Sequence, residues 1–147
     1  MFARMRDLVA TGQLQIPPPI FTDMDGQFLA FDPVARQLTA RFPFKARYQN
    51  PMGYMQGGMI AAAIDNTIGP LSFMVAPPNV TKSMTVTYLR PITTAIQFIT
   101  VIARQEPTPE TADREIIFTA DVLRDSKTVL AQAHSLNIIL KRWRKTE

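Results

Sequence analysis

The sequence predicts an α+β domain in which an antiparallel sheet wraps around one central helix. Three observations carry this prediction: an apolar hairpin comes first, a long segment that is apolar on every side follows, and four strand-like runs come after it. At 147 residues the chain has the length of one ordinary domain. We therefore expect residues 1–147 to form one domain, with an N-terminal helix and proline-rich segment at 1–19 and a basic tail at 141–147.

The N-terminal part predicts a short helix and then a hairpin. Apolar residues recur at near-helical spacing over residues 2–14, and the proline triplet at 17–19 stops any continuation. Residues 27–31 and 36–42 are short apolar-containing runs separated by an Asp-Pro pair, which is typical of turns. We expect these two runs to pair as antiparallel strands.

Residues 58–75 predict a buried helix. Met, Ile, Ala, Leu and Phe occupy every side of it, and the main polar exceptions are Asp65, Asn66 and Thr67. A helix that is apolar all round is normally covered by protein, so we expect Asp65 to be buried among apolar neighbours. Pro70 removes one backbone hydrogen bond, which predicts a bend near Asn66 or an early end followed by a restart.

Four strand-like runs follow the helix, at residues 81–89, 95–105, 114–124 and 128–140. We expect them to be mostly adjacent in the sheet. In the first run, apolar and polar residues alternate, which predicts one apolar and one polar face: Met84, Val86 and Tyr88 against Ser83, Thr85 and Thr87. One sheet cannot cover every side of such a helix, so we expect a homodimer that pairs further into a dimer of dimers.

Composition excludes several kinds of chemistry. The chain has no cysteine, which removes disulfides, thiolate nucleophiles and cysteine-ligated zinc. His134 is the single histidine, and no carboxylate stands near it at ligand-like spacing. A metal site would have to depend on carboxylates with at most one imidazole. We therefore expect a mechanism with no cofactor and no metal.

The net charge of +4 comes partly from the C-terminal tail, where basic residues surround Trp143. A solvated tail explains this cluster better than a nucleic-acid site, because aromatic residues do not interleave with the charges. No run reaches the roughly 18 uncharged apolar residues that span a bilayer, and residues 1–15 lack the apolar core of a signal peptide. We expect a soluble cytoplasmic protein with no nucleic-acid or membrane partner.

The most specific signal lies in residues 50–69, which begin Asn-Pro-Met-Gly-Tyr-Met-Gln-Gly-Gly and include Asp65. This segment resembles the signature of PaaI-type (4-hydroxybenzoyl-CoA thioesterase-like) hot-dog thioesterases, in which an Asn-Pro-Met-Gly loop leads to a His-Gly-Gly helix start and then an acidic residue. Residues 87–91, Thr-Tyr-Leu-Arg-Pro, resemble the family's strand that ends in Arg-Pro. The resemblance covers residues 5–140 and implies a hot-dog fold and hydrolysis of acyl-CoA thioesters.

One position departs from that signature, since Gln56 stands where the family usually has histidine. A glutamine can donate and accept hydrogen bonds but cannot change its charge near neutral pH. The alternative to an enzyme is therefore a non-catalytic protein of the same fold that binds acyl-CoA or lipid.

Thioester hydrolysis needs a group that stabilises the oxyanion and a group that activates water or attacks directly. Gly57 and Gly58 open the central helix, where unpaired N–H groups meet the positive end of the helix dipole and a substrate can approach closely. We predict that the Gly57 N–H is the oxyanion donor and that Gly58 contacts substrate. Asp65 would be the general base or the nucleophile, although a structural, hydrogen-bonded aspartate is the alternative.

Asp65 lies eight residues after Gly57, which corresponds to about 12 Å along a helix axis. It cannot reach a carbonyl bound at its own helix start. The helix start must then come from a neighbouring antiparallel subunit, which is also the arrangement that the resemblance implies. The site should straddle a dimer interface.

The resemblance assigns roles to further residues. Asn50 and Gln56 would line the carbonyl end, Ser83 would orient the water or the thioester, and Arg90 would meet a coenzyme A phosphate. Met84 belongs to a group of methionines that could shape an adaptable acyl pocket. Each residue also has a structural interpretation: a turn for Asn50, an ordinary strand position for Ser83, solvation for Arg90 and core packing for Met84.

Overall fold

The computed structural model describes residues 2–110 and 112–141. In chain order the elements are α1 (Phe2–Ala10), α2 (Pro19–Asp23), β1 (Gln27–Asp32), β2 (Gln37–Pro43), α3 (Gly57–Val75), β3 (Asn79–Tyr88), β4 (Phe98–Gln105), β5 (Glu115–Arg124) and β6 (Thr128–Ile139). A 3-10 turn at Ala46–Tyr48 precedes the loop that leads into α3. The basic cluster predicted in the tail lies almost wholly outside the described residues.

Across these residues the strands form one antiparallel sheet in the order β1-β2-β4-β5-β6-β3. The expectation that the last four strands are mostly adjacent is confirmed, with β3 lying beyond β6 rather than beside β4. Strand β3 pairs with β6, from Asn79 opposite Ile139 to Tyr88 opposite Ala131, and residues 89–97 then cross to β4, which pairs with β2 and β5. The strand that directly follows the central helix therefore lies at an edge of the sheet.

Helix α3 packs against the sheet and supplies the centre of the core. It runs without interruption from Gly57 to Val75 with Pro70 inside it, so of the two predicted alternatives the early end with a restart is wrong. One side of the helix is fully buried against the sheet, at Ile60, Ala63, Ile64, Ile68 and Leu71. The predicted architecture of a sheet wrapped around one long helix is confirmed.

The other side of α3 is only partly covered by the described chain. Ala61 and Ala62 are half-buried, and Asp65 is exposed. Helix α3 is long and apolar enough to cross a membrane by composition alone, but 56% of it is buried inside the fold. That burial is typical of the core helix of a soluble protein.

Helix α2 is not predicted from the sequence, because a proline triplet can end a helix as well as begin one. Pro19 occupies the first turn of α2, where a missing N–H costs nothing and a fixed φ favours the helix. Phe21 anchors this helix: its ring stacks on Phe28 at 4.1 Å and meets Phe42 edge-on at 5.4 Å. Helix α2 thereby holds residues 14–20 near α3.

Candidate functional site

The loop before α3 is ordered by Asn50. The Asn50 side-chain Oδ1 accepts hydrogen bonds from the backbone N–H groups of Met52 (2.9 Å) and Tyr54 (3.1 Å), and the Asn50 N–H donates to the Tyr54 carbonyl at 2.7 Å. Asn50 therefore forms a turn, which is the structural role that the sequence predicts as an alternative. Its Nδ2 has no partner among the described residues, so the loop presents a fixed donor.

The start of α3 leaves backbone donors free. The Gln56 carbonyl accepts from the N–H groups of Met59 (2.9 Å) and Ile60 (3.2 Å), while the Gln56 side chain is exposed and forms no capping bond. Within residues 2–110 and 112–141, nothing accepts a hydrogen bond from the Gly57 or Gly58 N–H. These are the orphan donors that a helix N-terminus offers to an anion.

Tyr88, at the end of β3, contacts this helix start and was not predicted to do so. Its hydroxyl donates to the Gly57 carbonyl at 2.8 Å. A Cβ added at Gly57 would come within 3.1 Å of the Tyr88 ring, whereas one at Gly58 would meet nothing within 4 Å. Position 57 is thus packed against Tyr88, and position 58 faces open space.

A cavity of about 380 Å³ lies at the helix start, and we call it the helix-start cavity. It brings together three of the predicted site residues, Asn50, Gly57 and Arg90, with Tyr88 beside them. Arg90 is exposed, and its Nη1 donates to the Val129 carbonyl at 2.5 Å. The guanidinium is therefore fixed at the rim and keeps other N–H groups for a ligand.

Asp65 opens on a different cavity of about 360 Å³, which we call the Asp65 cavity. The expectation that Asp65 is buried is wrong for the described chain, because Asp65 lies on the side of α3 that the sheet does not cover. The Thr81 hydroxyl donates to Asp65 Oδ1 at 3.4 Å. Apolar side chains line much of the remaining wall: Leu14, Ile16, Pro18, Ile20, Pro70, Phe73 and Val80.

Within the described chain, Ser83 does not line the Asp65 cavity, and its role toward water or thioester stays a prediction. The register of β3 on β6 shifts between Thr81, opposite Asn137, and Ser83, opposite Leu136. Lys82 is the extra residue of this β-bulge, and a bulge reverses which side chains face the helix. Thr81 therefore contacts Asp65, and Met84 on the far side of the bulge packs against the core, as its structural interpretation expected.

Buried amides close the floor of the Asp65 cavity between β3 and β6. Asn137 Nδ2 donates to Asn79 Oδ1 at 2.8 Å, Ser135 Oγ donates to Asn137 Oδ1 at 2.7 Å, and Asn79 Nδ2 donates to the Pro77 carbonyl at 2.9 Å. Buried polar groups that bond one another in this way stabilise the surrounding structure. These bonds tie β3, the strand that carries Thr81, to β6 at this end of the cavity.

The two cavities share no lining residue. Asp65 and the Gly57 N–H lie on the same helix but open on separate spaces, as the eight-residue spacing predicts. In a single chain the carboxylate and the free N–H groups cannot act on one atom.

A third cavity is polar; it shares Gln15 with the Asp65 cavity and no residue with the helix-start cavity. It is about 660 Å³ and is lined partly by Asp23, Asp25, Lys45 and Arg47. The Lys45 ammonium, hydrogen-bonded to Asp25 at 2.6 Å, holds the pKa of that carboxyl below its usual range. In this cavity, Lys45 and Asp25 therefore already pair with each other.

Over the described ranges, no cluster of three possible metal ligands occurs, and His134 is exposed on β6.

Comparisons with known proteins give structural relatives only. No protein-family model matches the chain, and no curated protein matches it. The solved structures similar to it include a phenylacetic acid degradation-related protein from Ralstonia eutropha, with a TM-score of 0.75 and 20% identity over 90% of this chain and 98% of that one.

Two further solved structures are similar to the chain at comparably low sequence identity. The PaaI protein of the Escherichia coli phenylacetic acid degradation operon has a TM-score of 0.74 and 11% identity over 92% of each chain. A mutant thioesterase from Pseudomonas aeruginosa has a TM-score of 0.70 and 18% identity over 90% of this chain and 91% of that one. These similarities span almost the whole molecule, and the chain has the hot-dog fold. The predicted resemblance to PaaI-type proteins is confirmed at the level of the fold.

Proposed function

We propose that this protein hydrolyses acyl-CoA thioesters to the free acid and coenzyme A, at a site shared by two subunits. The observation that carries the proposal is the division of one helix between two cavities. Gly57, with its free N–H, lines the helix-start cavity, and the Asp65 carboxylate lines the Asp65 cavity. Each half of the machinery is incomplete alone, and the two halves are chemically complementary.

The edge strand β3 supports a two-subunit site. In the described part of the chain, β3 has no neighbouring strand on its outer side. Its two ends contact the two halves of the machinery, Thr81 at Asp65 and Tyr88 at Gly57. Antiparallel pairing of two β3 edges would bring the Thr81 end of one strand beside the Tyr88 end of the other. Asp65 then faces the partner's Gly57.

In the proposed reaction, the thioester carbonyl oxygen accepts hydrogen bonds from the Gly57 N–H and its neighbours at the helix start. Negative charge that develops on this oxygen is stabilised by those donors and by the helix dipole. The Asn50 Nδ2 supplies a further fixed donor at the same end. Gly58, without a side chain, leaves room for the carbonyl to approach.

Asp65 acts from the other subunit, with Thr81 rather than Ser83 orienting its carboxylate. As a general base it takes a proton from water, the water oxygen bonds to the carbonyl carbon, and the carbon–sulfur bond breaks. The proton then passes to the leaving thiolate. As a nucleophile it would instead form an anhydride that water cleaves. Both routes release the same acid and thiol.

The rim residues fit a coenzyme A substrate. Arg90 presents a positive charge beside the helix-start cavity, where a phosphate can be bound. Gln56 precedes Gly57 and does not itself line the cavity; its exposed, uncharged carboxamide can hydrogen-bond a ligand but cannot donate a charge-assisted bond. The names of the structural relatives, a thioesterase and proteins of phenylacetic acid degradation, agree with this class of substrate.

Gln56 also favours the second candidate function, which is binding of acyl-CoA or lipid without turnover. A cavity that retains its free N–H donors but has no imidazole can still bind a thioester. The two functions share the ligand and differ only in whether the thioester is hydrolysed. They are therefore separated by measuring binding and hydrolysis on the same preparation.

We expect thiol release from a panel of aromatic and straight-chain acyl-CoAs, together with a solution mass of a dimer or a dimer of dimers. The shared site requires at least two subunits, so light scattering at micromolar concentration should give a multiple of the monomer mass. Calorimetric binding of acyl-CoA without thiol release would favour the binding function. A stable monomer that hydrolyses acyl-CoA at full rate would contradict the shared site.

A further inference from the structure

A fourth cavity lies beside the Asp65 cavity, and we call it the hairpin cavity because residues of β1 and β2 form most of its wall. It is about 370 Å³, and every residue that lines it is apolar: Ile16, Phe28, Leu29, Ala30, Phe31, Leu38, Pro70 and Met74. The proposed chemistry uses none of these residues. Such a space fits a hydrocarbon and offers no side-chain partner to a polar group.

The hairpin cavity adjoins the Asp65 cavity. Two residues, Ile16 and Pro70, line both spaces. Pro70 is buried within α3 and is fixed by the helix backbone. Ile16 is half-buried and belongs to the irregular segment between α1 and α2. The Ile16 side chain is therefore the part of the boundary that a substitution can remove without rebuilding the helix.

The polarity of the two cavities indicates how a bound ligand would be oriented. The Asp65 cavity has the carboxylate and the Thr81 hydroxyl in its wall and apolar side chains such as Leu14, Ile20 and Phe73 around them. The hairpin cavity beyond Ile16 is lined by apolar residues only. A molecule with a reactive carbonyl at one end and a hydrocarbon tail fits this order of surfaces.

We propose that Ile16 sets the length of the acyl chain that the protein accepts. The chain lies in the Asp65 cavity with its carbonyl toward Asp65, and its far end stops at the Ile16 side chain. The hairpin cavity stays closed to the chain while Ile16 is present. This inference rests on the proposed acyl-CoA site and adds to it the residue that determines substrate length.

The test measures binding of S-alkyl-CoA thioethers, from butyl to hexadecyl, by calorimetry. These probes lack the thioester carbonyl and cannot be hydrolysed, so the readout does not depend on turnover. Each methylene that enters an apolar cavity should tighten binding about fourfold. In the wild type, affinity rises with chain length and stops rising where the chain meets Ile16.

In Ile16→Ala the affinity should continue to rise past that length, and the longest probes should bind at least about tenfold more tightly than to the wild type. Ile16→Val, which leaves most of the side chain, should shift the same limit by less. Adding Leu29→Trp to Ile16→Ala should reverse the gain, because Leu29 lines only the hairpin cavity.

Ile20→Ala is the matched control. Ile20 is the same residue type in the same part of the chain, but it lines only the Asp65 cavity. It should change affinity for all chain lengths alike and leave the limit in place. An unchanged limit in Ile16→Ala, or an equal shift in Ile20→Ala, would overturn the proposal.

The experiments can contradict the proposed function and the role of Ile16 independently. Binding with an Ile16-dependent limit but no hydrolysis of any acyl-CoA would support the length gate and contradict catalysis. Hydrolysis with a limit independent of Ile16 would support catalysis and contradict the gate. Absence of binding to every probe by the wild type would overturn both.

Discussion

Asp65→Asn is expected to reduce thioester hydrolysis by about 10²-fold to 10⁴-fold, the range that a positioned general base contributes. The amide has nearly the shape of the carboxylate and can still accept the hydrogen bond from the Thr81 hydroxyl. It cannot take a proton from water or attack the carbonyl. Thiol release from acyl-CoA, followed at saturating substrate, measures the loss.

The same variant should unfold at the wild-type temperature. Asp65 is exposed in the single chain, and surface substitutions usually change stability by less than about 0.5 kcal/mol. Asp113→Asn is the matched control, since Asp113 is also exposed and lines none of the three cavities around the site. Full activity in Asp65→Asn would remove Asp65 from the mechanism.

Gly58→Ala is expected to lower kcat/KM by about 10²-fold or more, on the scale of losing one oxyanion contact, while the fold stays as stable as before. A Cβ at position 58 meets nothing within 4 Å in the chain, and in the proposed site it would project toward the substrate carbonyl. Alanine also favours a helix over glycine by up to about 1 kcal/mol. Denaturant unfolding and thiol release, measured side by side, test both parts.

Gly57→Ala provides the contrast. Its Cβ would press on the Tyr88 ring at 3.1 Å, so this variant should lose stability as well as activity. Two results would contradict the proposal that the substrate occupies the open space at position 58. Gly58→Ala could lose stability together with activity, or it could keep both.

The regular elements could be predicted closely from the sequence because their signals are local. The helix predicted at 58–75 is found at Gly57–Val75, and the last strand predicted at 128–140 is found at Thr128–Ile139. Apolar periodicity and turn residues fix such segments without knowledge of the fold. Helix α2 was missed because proline both stops a helix and starts one, and the sequence does not say which.

The site could be predicted in part. Asn50, Gly57 and Arg90 stand in motifs, and the fold brings them to one cavity. The contact between Thr81 and Asp65 was missed because it depends on the bulge at Lys82, which has no signature in the alternation of β3.

Two further features arise only from tertiary packing. Asp65 is exposed rather than buried, because the side of α3 that the sheet covers is decided by the whole sheet. Ile16 lines two cavities through its position beside α3, and its neighbours in the sequence give no sign of this. The assembly and the roles of the site residues stay predictions.

A mixed assembly of Asp65→Asn and Gly58→Ala subunits tests the shared site most directly. Each variant alone has one defective group in every site. In a mixed dimer with two-fold symmetry, one site combines the intact Asp65 of one subunit with the intact helix start of the other, and the second site carries both defects.

Random mixing by unfolding and refolding the two variants together should therefore restore about a quarter of the wild-type activity, since half of the dimers are mixed and each has one intact site. The separately refolded variants should stay inactive. If the mixture is no more active than its components, then Asp65 and the Gly57 end of α3 do not act across the subunit interface, and the proposed arrangement of the site is wrong.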